Sequence, residues 1–195
     1  MIVGKTNGSP TPPSYALCAH AVFTRHEGGK AAWSGKRPSY RYAESLKYTL
    51  IRIADAADWQ VYHAIRRSSL WEEKGLDGYD DARPQERFAY HHALLLKLDE
   101  QGIGTTRLDD LRDGTGIVRL VAITASLRRQ GHGRVLDTMV EDYARQIGLN
   151  GLFVSAASDA ERFYTATGWT RVTTQAPELL GDADGCVRMK KSIHR

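Results

Sequence analysis

Cysteine is scarce: in 195 residues there are only Cys18 and Cys186, far apart and without CxxC spacing. That supports neither a disulfide framework nor a cysteine zinc site, so no metal is expected, and it points to a reducing, cytoplasmic compartment. No apolar run approaches the roughly 20 residues that cross a bilayer, so no membrane partner is expected. The run YALCAHAVF, residues 15 to 23, has the look of an export signal core, but TNGSPTPP and a single lysine precede it, which is the wrong flank. There is also no lysine run or basic tail. Lys and Arg total 27 against 23 Asp and Glu, and a net charge of +4 suits an anionic small ligand better than a nucleic acid.

Two nucleotide fingerprints are missing as well. The Rossmann pattern G-x-G-x-x-G fails because Leu136 stands where its third glycine belongs, and GGKAAWSGK, residues 28 to 36, has neither the spacing nor the final hydroxyl of a P-loop. What is present is IVRLVAITASLRRQGHGR, residues 117 to 134, an apolar strand-like run feeding a basic, glycine-bearing turn. The helix it opens carries Val135, Leu136, Met139, Val140, Tyr143 and Ile147 on one side and Asp137, Glu141, Asp142 and Arg145 on the other. Backbone N–H groups of Gln130, Gly131, His132 and Gly133 would meet the positive helix end without intrahelical partners, which makes an anion site. Gly131 and Gly133 let a pyrophosphate approach the main chain, and Arg128, Arg129 and Arg134 add charge around it.

Residues 1–43 are rich in Gly, Pro and Ser without sustained periodicity and read as an extension, leaving one domain over 44–195. In that domain KYTLIRI is a first strand, and Asp55 caps a helix carrying Trp59, Val61, Tyr62 and Ile65. A hairpin turns near Glu100 to Gly102 and leads to the strand Ile117 to Ile123; Leu152 to Val154 follows as a short strand and CVRMKKS as a last one. Ser158 and Glu161 have capping-box spacing and predict a helix to about Gly168 that contains Tyr164.

Arg128, Gly131 and Gly133 form R-x-x-G-x-G between a strand and a helix, and about thirty residues on stands AERFYTATGW, Ala160 to Trp169. Together these resemble motifs A and B of the GNAT superfamily of acyl-CoA-dependent N-acyltransferases. The resemblance implies an α/β (α+β) fold with a mixed, mostly antiparallel sheet flanked by helices, its second N-terminal helix falling between Glu72 and Glu86. It implies acetyl-CoA as acyl donor, its pyrophosphate on Arg128 to Arg134 and its pantetheine paired with the backbone of Val121, Ala122 and Ile123. It also implies an Ile123 N–H on the reacting carbonyl, Tyr164 as the acid that protonates the leaving thiolate, and a small-molecule or peptide amine as acceptor. A homodimer is left open.

This chain departs from that pattern twice. Ala156 and Ala157 stand where many members carry Asn or Gln to hold the pantetheine, and no glutamate stands on the central strand to take the amine proton. Glu72, Glu73, His91, His92, Asp109 and Asp110 are the remaining base candidates, His91 and His92 facing opposite ways if both lie in a strand. With normal alternation Arg119, Val121 and Ile123 share a face, and Arg119 could meet an acceptor carboxylate. Two other readings stand beside the enzyme: an acyl-CoA-binding regulator without turnover, favoured by the absent glutamate, and a nucleic-acid-binding module, disfavoured by the acidic polar face of the helix after Gly133.

Overall fold

The structure, a computed structural model, describes residues 47–172 and 185–193. Residues 1–43, read as an extension, lie outside these. Seven strands form one sheet: β1 (Tyr48–Arg52), β2 (His91–Leu98), β3 (Gln101–Asp110), β4 (Thr115–Ile123), β5 (Gly151–Ala157), β6 (Thr170–Arg171) and β7 (Cys186–Ser192), in the order β1-β2-β3-β4-β5-β7-β6. All neighbours are antiparallel except β4 and β5, which the long helix α2 (His132–Gln146) connects in parallel. The expected mixed, mostly antiparallel sheet flanked by helices is thus present. No helix among the described residues is long and apolar enough to cross a membrane.

The run Leu94-Leu95-Leu96 is wholly buried because β2 is covered on both faces. Leu94 and Leu96 join Leu108, Val118, Leu136 and Val140 under α2. Leu95 and Ala93 join Tyr62, Ile65, Leu70 and Trp71 under α1 (Ala56–Arg66) and the π-helical turn Arg67–Trp71 that continues it. Asp55 caps α1 as expected, its carboxylate accepting from the Asp58 N–H at 2.8 Å.

Four expectations need correction. Between Glu72 and Glu86 there is no second helix but two 3-10 turns, Glu72–Lys74 and Pro84–Arg87. Ser158 caps nothing: the Ala160 N–H bonds back to the Ala157 carbonyl, and α3 (Glu161–Ala166) begins after Ala160 with no side-chain cap. Cys186 is disulfide-bonded, which removes the cysteine argument for a reducing compartment. Finally, β4 does not alternate regularly. Its register against β3 skips a residue between Arg119 and Ala122, and Leu120 sits in the left-handed region at φ 54. This bulge turns Val121 to the α2 face, away from Arg119, while Leu120 and Ala122 pack on the α1 face.

Past the bulge, β3 approaches the end of β4 across Gly104, where an added Cβ would stand 3.0 Å from the Ala122 carbonyl oxygen and closer still to Ile123 Cδ1. Gly104→Ala is therefore expected to cost about 1–3 kcal/mol in urea unfolding; unchanged stability would mean that β4 can shift freely here.

Candidate functional site

The parallel ladder between β4 and β5 is short. Pairing runs from Thr115 with Gly151 to Val118 with Val154 and stops, although β5 goes on to pair with β7 as far as Ala157 with Cys186. Beyond Val118 the two strands part, leaving a wedge that opens toward their C-terminal ends. Main-chain direction on β4 follows from the Thr124 N–H, which donates to the Ile103 carbonyl. Ala122 and Thr124 therefore face β3, and Ile123 faces the wedge side. Of the three strand residues expected to serve a ligand through their backbone, Ala122 is thus set apart, its main chain turned to β3 and its side chain buried under α1. Val121 lines the crevice instead with Gly133, Leu136, Phe163 and Tyr164.

The loop after β4 ends at the N-terminus of α2. Gly131 precedes the helix at φ 95 with no side-chain cap, and the first intrahelical donor is the Arg134 N–H, on the Gly131 carbonyl. The N–H groups of Gly131, His132 and Gly133 are thereby left at the positive helix end. An added Cβ on Gly131 would meet nothing within 4 Å, so the space in front of the helix is open. Arg129 is exposed at φ 63; Arg134 is exposed and reaches toward the Ala166 carbonyl. Gln130 turns its amide to the Ser126 carbonyl, and His132 is buried with Nδ1 2.8 Å from the Tyr48 hydroxyl. Arg128 turns away altogether: its guanidinium grips Glu73 and the Ile123 carbonyl.

Tyr164 stands on the other wall. Its side chain is buried, edge-on to Phe163 and Trp169, and its hydroxyl has no hydrogen-bond partner. Burial, with the Asp137 carboxylate nearby, pushes the phenol far above its ordinary value, so it stays protonated throughout the neutral range. The ring's place is set by Trp169, whose Nε1 donates to Asp137 at 3.0 Å; Lys191 from β7 binds the same carboxylate at 3.2 Å.

On the α1 face lies a cleft of ≈ 580 Å³ lined by Tyr90, His91, Arg107, Asp109, Arg112 and Arg119. Arg119 is one residue past the last β4–β5 pair, so the cleft reaches the apex of the wedge. His91 and His92 do face opposite ways: His91 lines this cleft, and His92 bonds the Tyr143 hydroxyl under α2. Asp109 is held between Arg107 at 2.6 Å and Arg119 at 2.7 Å, and Asp110 accepts from the Arg112 N–H. Glu73 is taken by Arg128, and Glu72 is exposed.

Sequence reading missed the floor of this cleft. Glu86, 6% exposed, binds Arg66, Arg107 and the Tyr62 hydroxyl. Burial alone would raise its carboxyl, but the two arginines hold it at about 2. These residues come from three separate segments, and no local spacing announces them.

An acetyltransferase (GNAT) domain model matches residues 71–192. No curated protein matches. Among solved structures, a Lactobacillus plantarum protein classed as an N-acetyltransferase is 25% identical, with TM-score 0.63 over 77% of this chain and 100% of that one. A Pseudomonas aeruginosa acyl-CoA N-acyltransferase is 20% identical, with TM-score 0.61 over 76% and 100%. Neisseria gonorrhoeae N-acetylglutamate synthase, complexed with coenzyme A and N-acetyl-glutamate, is 17% identical, with TM-score 0.61 over 78% of this chain and 37% of that one.

Glu86 supplies a test of the cleft floor. With its carboxyl at about 2 in the fold against 4.5 in the free residue, its stabilisation is complete above pH 4.5 and is lost as the pH falls toward 2. Glu86→Ala should lose about 3–5 kcal/mol at neutral pH, because the buried Arg66 and the partly buried Arg107 lose their partner. It should also lose less further stability on acidification than the unmodified protein. Parallel pH profiles in chemical denaturation would show that Glu86 does not anchor the floor.

Proposed function

The chain belongs to the GNAT acetyltransferase family, and on that premise we propose that it transfers an acetyl group from acetyl-CoA to the amine of a small-molecule or peptide acceptor by direct attack. The observation that carries this reading is the pairing of an open, uncapped helix end with a buried phenol that has no partner, one at each side of a gap in the sheet. A pyrophosphate suits the N–H groups of Gly131, His132 and Gly133, which a peptide or a hydrocarbon would leave unpaired. An extended amide-bearing arm suits the unpaired inner edges of β4 and β5, to which it can add as a strand does. The coenzyme A of the gonococcal synthase complex supports the same ligand class.

Acetyl-CoA supplies an activated acyl carbon, and the chain's own groups do the rest. Holding donor and amine in adjoining spaces, the wedge and the α1-face cleft, replaces a bimolecular encounter with a local one. The Ile123 N–H, turned to the wedge side, can stabilise negative charge on the carbonyl oxygen. Tyr164, kept protonated by burial, donates its proton to the departing sulfur. Arg128 is a wall rather than a phosphate ligand in this reading, because all its contacts face Glu73 and Ile123. The unpartnered phenol also favours turnover over a purely regulatory acyl-CoA sensor.

Two variants test the assignment. Gly131→Asp meets no protein atom, although φ 95 strains any side chain there, and it puts a carboxylate at the helix end; with circular dichroism reporting that the fold is kept, acetyl-CoA binding in titration calorimetry should fall at least about 100-fold. Tyr164→Phe should bind acetyl-CoA normally while kcat, read by thiol release with an amine panel, drops about 100-fold or more. Equal binding by Gly131→Asp would move the phosphate elsewhere, and full activity of Tyr164→Phe would remove the acid from Tyr164.

A further inference from the structure

The first residue of the loop motif does something its position does not announce. Arg128 Nε donates to the Ile123 carbonyl at 2.9 Å, and Nη1 and Nη2 bind the Glu73 carboxylate at 2.6 and 3.0 Å. Glu73 belongs to the turn Glu72–Lys74, so this clasp pins the turn beside the end of β4. The next residue, Lys74, has its amine within electrostatic reach of Arg128, past the end of β4, and of Asp159, past the end of β5. The clasp therefore sets the turn beside the open end of β4, and Lys74 follows Glu73 directly in it. Gly75, at φ 64, ends the turn and leads the chain away.

Lys74 is half-buried and has neither hydrogen bond nor ion pair among the described residues. Burial brings its amine down to about 8; Asp159 opposes this and Arg128 adds to it. About a tenth of such an amine is neutral at pH 7, against less than about one part in a thousand for an ordinary lysine. The neighbouring Glu73 is clasped by Arg128, Asp109 lies between two arginines, and His92 is under α2.

We propose that Lys74 is a modification site, N-acylated in cis by the thioester held in the wedge beside its turn. This rests on the acyl-CoA reading above. The neutral Nζ attacks the thioester carbonyl carbon; the N–C bond forms and the C–S bond breaks. The sulfur leaves as thiolate and takes the Tyr164 proton, and the proton released from Nζ restores the phenol, so CoA leaves as the free thiol. The product is an uncharged amide in place of a cation near Asp159. A loaded protein short of acceptor would thus change the charge beside its own donor wedge.

The test is peptide mass mapping of the full chain incubated with acetyl-CoA and no added amine. Lys74 should gain an acetyl group at least about tenfold faster than Lys97, whose ion pair with Asp58 at 2.8 Å keeps it protonated. Glu73→Gln frees the turn and should bring Lys74 down to the rate of Lys97, with circular dichroism reporting that the fold is kept. Calorimetric binding of acetyl-CoA in the same samples separates the two levels of inference. Binding with Lys74 labelled no faster than Lys97, or labelling unaffected by Glu73→Gln, overturns the modification site and leaves the acyl-CoA reading standing. Absence of binding overturns both.

Discussion

Everything that makes this domain more than a covered sheet follows from the parting of β4 and β5. Hydrogen bonding between them lasts from Thr115 to Val118 and then ends, while each strand keeps its outer neighbour: β4 stays with β3 to Ile123, and β5 with β7 to Ala157. The gap is therefore a fixed space between two supported half-sheets and not a frayed edge. Buried main-chain groups without partners are costly, so inner edges left open in this way call for a ligand that carries amides of its own. The Leu120 bulge adds to the same end: the left-handed residue re-aims the strand so that Val121 joins the crevice wall while Arg119 stays on the α1 face.

The two faces of the sheet divide the work by chemistry. Under α2 the packing is largely apolar, and a polar assembly, Trp169 and Lys191 on Asp137, locks α3 and hence Tyr164 to α2 and β7. Under α1 the sheet carries Arg107, Asp109 and Arg119, neutralised in part by Glu86 from the 3-10 turn Pro84–Arg87. A buried network of this kind is poor at adding stability and good at holding a fixed pattern of charge, which is what an acceptor cleft requires. The Glu73–Arg128 clasp ties the turn after α1 to the loop before α2.

Much of this was legible in the sequence. The period of Val135 to Ile147 predicts α2, the Asp55 cap is where it is expected, and CVRMKKS corresponds to β7 residue for residue, because these depend on local pattern and cap chemistry. The loop glycines lie at the helix end for the same reason. What escaped depends on partners distant in the chain. Nothing in a leucine signals a left-handed conformation at 120; Ser158 has the right spacing for a cap but loses to the turn that closes on Ala157; and the direction of Arg128 is decided by Glu73, fifty-five residues earlier. The Glu86 network is assembled from three segments and has no spacing to read.

The most direct measurement is amide hydrogen exchange with and without coenzyme A, read at single-residue resolution along β4 and the start of α2. The account predicts protection confined to the wedge-facing Ile123 amide and those of Gly131, His132 and Gly133, with Ala122, already bonded to β3, unchanged. Protection that skips the helix end, or that falls instead on the α1-face cleft, would contradict the assignment of the wedge as the acyl-donor site.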